Sequence, residues 1–230
     1  MLYLHEIIDI VGTGQEAYLK TVAERAAHSQ GEQISRLVGT WKVIGSTNRW
    51  PRVVNLWEME DWAHWADSLE RQHLPEKKDA GLAPWWARAT EWRSGGFDRI
   101  LEPAPFSPSL ADLQARGFTA WVCVHSIVRL RPGKRREYLS MVGETLRPLL
   151  EKRGLTLMGA YTVPMLSDES VLLWAAPDFR MLCDLYAGRR TDQEWNAWVR
   201  RVAPLHEGFE TMWLVPSGDC FFHPLRQSKG

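Results

Sequence analysis

Two histidines stand on matching strand-like runs of this chain, His5 in "LYLHEIIDI" and His125 in "VCVHSIVRL". An imidazole among aliphatic residues is costly to bury unless it is paired, and near neutral pH it can act as acid or base. His5 and His125 are therefore candidate proton carriers. Glu6 follows His5 directly, but successive strand residues point to opposite faces, so a partner for His5 must come from another strand. Glu58 and Asn55 are the economical choices. Neither has a polar counterpart in the second half of the chain, where Ala175 and Leu172 stand at the corresponding places. A group present in one half alone suits a single site, which favours the first half. Trp41, Trp57, Tyr161 and Trp174, also on strands, could bound an apolar cavity and contact a substrate. His64 and His73, and His28 and His206 near helix ends, could each ligate a haem iron. No HExxH, GxSxG or strand–GxGxxG–helix pattern accompanies them, so no metal site is expected.

The elements that carry these residues occur twice. "LYLHEIIDIVGTGQEAYLKTV" lies over "VCVHSIVRLRPGKRREYLSMV", with Tyr18 on Tyr138 at the same spacing that separates the histidines. "LVGTW" then lies over "LMGAY", and "VVNLWEMEDW" over "SVLLWAAPDF". Each half reads as a strand, an amphipathic helix (about 14–29; 134–152), a two-strand hairpin, further helices and a closing strand. Asp61 and Asp178 are good N-caps, "TDQE" from Thr191 to Glu194 reads as a capping box, and Gly154 as a helix stop. The order β-α-β-β-α-β is ferredoxin-like. The expected fold is therefore α+β, with ferredoxin-like units over 1–102 and 120–216. Residues 103–119, rich in Pro and Ser, read as a linker, and 217–230 as a C-terminal tail. A four-stranded sheet with helices on one face must bury the other. The two antiparallel sheets are thus expected to pack face to face as a pseudo-twofold α/β barrel.

Charge narrows the partners. Lys+Arg and Asp+Glu are both 28, a net charge of zero, which speaks against nucleic acid or an anionic surface. No apolar stretch suffices for a membrane span, and no signal peptide is evident. Three cysteines without CxxC spacing suit a reducing, cytoplasmic setting.

"VVNLWEMEDWAHWADSL", "RLRPGKRREYL" and "WWARATEWRSGGFDRILEPAPFSP" resemble the NIPSNAP family of the dimeric α/β-barrel superfamily. Where that family's first strand runs Tyr-Glu-Leu-Arg, this chain has Tyr3-Leu4-His5-Glu6 and Cys123-Val124-His125-Ser126. The resemblance implies the barrel fold, a homodimer, and an enzyme or binder for an apolar or aromatic small molecule in a Trp-lined pocket. Such an enzyme would need no cofactor and would be an isomerase, lyase, cyclase or monooxygenase, with a strand His moving a proton. It also leaves room for a haem enzyme, and for a non-catalytic interaction protein.

Overall fold

The computed structural model describes residues 1–29, 35–78 and 80–227. The chain divides between Leu101 and Glu102 into two compact units, each α+β. The first holds β1 (Leu2–Ile10), α1 (Gln15–Ser29), β2 (Arg36–Val43), β3 (Arg52–Met59), α2 (Trp62–His73), α3 (Leu82–Thr90) and β4, which begins at Arg93. β1 pairs antiparallel with β3 and β4, and β2 pairs with β3, so the order is β4-β1-β3-β2. The second holds β5 (Val122–Leu130), helices α5 (Arg135–Met141) and α6 (Arg147–Glu151), β6 (Thr156–Thr162), β7 (Glu169–Ala176), α7 (Phe179–Gly188), α8 (Gln193–Val202) and β8 (His206–Pro216). Its order, β8-β5-β7-β6, is the same ferredoxin-like one.

The units also bend at matching places. Pairing slips between Leu37 and Gly39 in one, and between Leu157 and Gly159 in the other. The cause is local. The Trp41 ring folds back over Gly39, where a Cβ would meet Cη2 at 2.5 Å, and the Tyr161 ring covers Gly159, where Cζ would stand 2.2 Å away. Bare glycine followed two residues later by an aromatic ring thus shapes both hairpins.

One face of the first sheet is covered by helices. Ile8, Ile10, Val53 and Trp57 pack with Tyr18, Leu19 and Val22 of α1 and Ala89 of α3. Strand alternation then places Leu4 and Glu6 on that helix face, and Tyr3, His5 and Ile7 on the other. Among the described residues, no helix is long and apolar enough to cross a membrane.

Several boundaries differ from the sequence reading. The stretch read as a linker contains α4 (Leu110–Arg116), with a capping box between Ser109 and Asp112; the prolines drew attention from that signal. Ser107 Oγ accepts from the Ala160 N–H (3.0 Å). The cap of α8 is Asp192, whose side chain accepts from the Trp195 N–H, one residue after the expected Thr191. The helix expected over 134–152 is interrupted by a π turn at Val142–Leu146. There Gly143 admits the Phe106 ring, since a Cβ would lie 2.7 Å from its Cδ1. Gly154, at φ +86°, ends that segment in the left-handed conformation expected of a stop. The tail is packed: the Ala120 N–H donates to the Phe222 carbonyl at 3.0 Å, and the Phe222 ring stacks on Phe118.

Candidate functional site

His5 and His125 are both buried, on strand faces turned away from their units' helices. His5 is opposite Leu56 and Arg99, and His125 is opposite Leu173 and Met212. Glu58 shares the face of His5 but serves other groups. It accepts from Tyr3 Oη at 2.8 Å and is ion-paired with Arg36. Trp41 and Tyr161 cover their glycines on the same faces as the histidines.

Asn55 points the other way. On the helix face of the first unit it donates to Glu6 Oε2 (3.0 Å), and Trp57 Nε1 donates to the same oxygen (2.9 Å). Thr40 Oγ1 donates to Asn55 Oδ1 at 2.5 Å. Glu6 is 8% exposed, so these two donors hold its charge in place of water. The Tyr18 hydroxyl, from α1, is buried beside this group without a hydrogen bond. Burial and then the Glu6 charge raise its pKa, against the pull of the Arg93 charge. Asp98 stands opposite Glu6 across β1 and β4.

The second unit differs at each matched position. Ser126 replaces Glu6, Leu172 replaces Asn55 and Ala160 replaces Thr40. Where the first unit has a hydrogen-bonded network, the second has a cavity of about 290 Å³ between sheet and helices. Val124, Ser126, Leu172 and Trp174 form its floor, and Tyr138, Leu182 and Trp198 close it from the helix side. Its few polar groups are spread out. Ser126 Oγ and Thr211 Oγ1 share a hydrogen bond of 3.0 Å on the floor. His206 meets the cavity edge-on to Phe209, with ring centroids 6.0 Å apart. Arg189, from the end of α7, lies with its guanidinium carbon 3.5 Å from the Tyr186 ring centre and 4.1 Å from that of Trp195.

Of the residues singled out in the sequence, Trp174 and His206 line this cavity; His125 lies on the opposite face of β5. Trp57 belongs to the first unit's network. Arg189, Tyr186, Trp195 and the Ser126–Thr211 pair escaped the sequence reading. The available signal was "LYAGRRTDQEW", an arginine flanked by two aromatics near the end of a helix. Of the four candidate haem ligands, His206 lines the cavity, where its ring packs edge-on against Phe209. His64 and His73 ride α2 in the other unit, and the side chain of His28 lies outside the described residues. Among the described residues no three His, Cys, Asp or Glu side chains gather as a metal site.

No family model matches the chain, and no curated protein does. Solved structures match its fold. An anthrone oxidase-like protein superposes with a TM-score of 0.64 at 11% identity, over 94% of this chain and 91% of that one. A candidate monooxygenase from Lactobacillus acidophilus NCFM gives 0.63 at 10% identity, over 94% and 93%. A NIPSNAP family protein from Agrobacterium tumefaciens is 26% identical over 47% of this chain and 93% of its own, with a TM-score of 0.37.

Proposed function

We propose that the chain is a binder or enzyme for an apolar or aromatic small molecule, and that the molecule sits in the cavity of the second unit. The observation that carries this is the cavity itself. Protein interiors are normally close-packed, and a space of about 290 Å³ between sheet and helices forfeits contacts. Here it is lined by aliphatic and indole side chains with a few separated polar groups, the usual make-up of a ligand pocket. A compound of two or three rings matches the volume. The whole-chain structural neighbours, an anthrone oxidase-like protein and a candidate monooxygenase, are compatible with such a ligand. His5 and His125 stand on strand faces that do not line this cavity, so this reading does not use them. Proton transfer here would fall to His206, Tyr186 or the Ser126–Thr211 pair.

The test is direct. Methyl 2-naphthoate, a neutral two-ring compound, is titrated while tryptophan fluorescence is followed. Saturable binding at one site is expected. Leu185 lines the cavity and is only half-buried, so Leu185→Trp adds an indole to the space without disturbing the core. It should abolish binding and leave the melting temperature near that of the parent. Binding that is unaffected by Leu185→Trp would overturn the assignment.

A further inference from the structure

Arg189 gives the cavity a charged pole. Its Nε is buried and meets no hydrogen-bond acceptor. The nearby acids are already engaged: Arg153 Nη2 holds Asp192 at 2.5 Å and Glu194 at 3.2 Å. No carboxylate among the described residues pairs with Arg189. Its guanidinium instead lies over the rings of Tyr186 and Trp195, which favour a cation through their ring quadrupoles while leaving Nε without an acceptor. A desolvated donor left without an acceptor is expensive. Burial accordingly pulls the Arg189 pKa below its ordinary value, against Tyr186. The stacking also fixes the plane of the group, so that less freedom is lost when an anion docks. On the cavity floor, the Ser126–Thr211 hydroxyl pair offers a neutral hydrogen-bonding group. His206 also lines the wall, and the rest is mainly aliphatic and aromatic.

We propose that this site takes an organic acid, a two- to three-ring apolar body bearing one carboxylate that Arg189 Nε–H binds. The proposal rests on the reading of the cavity as a ligand site and adds the charge of its occupant. A carboxylate supplies the acceptor that the Arg189 nitrogen lacks, and it does so inside a low-dielectric wall where a charge-assisted bond is strong.

Two probes of nearly one shape separate the two readings, 2-naphthoate as the anion and methyl 2-naphthoate as the neutral body. Calorimetric titration of the full chain should show the acid binding at least about tenfold tighter than the ester. Arg189→Met keeps the apolar stem and removes the charge. It should erase that preference, read as the ratio of acid to ester affinity on the same variant. Arg189→Lys, which keeps the charge but not the planar fork, should restore part of the preference. Equal affinity for acid and ester in the parent chain, or a preference that survives Arg189→Met, would overturn the proposal and leave the apolar site standing. Failure of both probes to bind the parent chain would overturn the ligand site and this inference together.

Discussion

Glu6 and Asp98 are cross-strand neighbours on the helix face of the first unit. Glu6 accepts from Asn55 and Trp57. Asp98 has its pKa pushed up to about 6, first by burial of its carboxyl and then by the Glu6 charge, against Arg93 and Arg99. A folded-state pKa above the ordinary 3.8 means that the native chain holds this proton more tightly than the unfolded one. The resulting stability is present at low pH and is lost as pH rises from about 4 to 6. Asp98 is exposed, so solvent damps the effect. Asp98→Asn should therefore raise the melting temperature at pH 7.5 and raise it less at pH 4.5. Equal gains at both pH values would show that the carboxyl does not titrate in this window.

At the scale of elements, each hairpin depends on a glycine that an aromatic ring covers. Gly39→Ala would drive a methyl into the Trp41 indole, and Gly159→Ala into the Tyr161 ring. Each should cost about 1–3 kcal/mol, as forced overpacking does, visible as a lower midpoint in urea. Ser109→Ala removes the cap of α4 and should cost about 1 kcal/mol. These devices explain which elements could be read from the chain. "LVGTW" and "LMGAY" marked both hairpins, and Asp61 and Asp178 marked both helix starts; their side chains accept from the His64 and Met181 N–H groups. The π turn and α4 could not be read as easily. A π turn leaves apolar spacing nearly helical, and the helix of α4 is short and set among prolines.

Across the whole molecule, two units of one topology carry opposite interiors. Glu6, Asn55 and Thr40 fill one with hydrogen bonds; Ser126, Leu172 and Ala160 leave the other apolar. Glu6→Ala would strand the Asn55 and Trp57 donors and should lower stability by about 1–3 kcal/mol. Its affinity for methyl 2-naphthoate should not change, because the proposed site belongs to the second unit. A matching loss of affinity would tie the site to the first unit. The topology was legible because ordered matches from His5/His125 onward repeat one pattern. The cavity was not, because it is a volume left by side chains of α5 to α8. No single residue type announces it, and the paired histidines that did stand out face away from it.

The π turn has a consequence for what the cavity is made of. Tyr138, Leu146 and Leu150 all line it, at steps of four or eight residues. In an uninterrupted helix each step of four advances about 40° around the axis, so Leu150 would lie about 120° from Tyr138. The π turn accommodates one residue more than an α turn does, which sets the phase back by about 100°. Tyr138 and Leu150 then come within about 20° of one azimuth. The single wide turn that Gly143 and Phe106 hold in place therefore works as a phase corrector, keeping both ends of a long helical segment trained on the same small space.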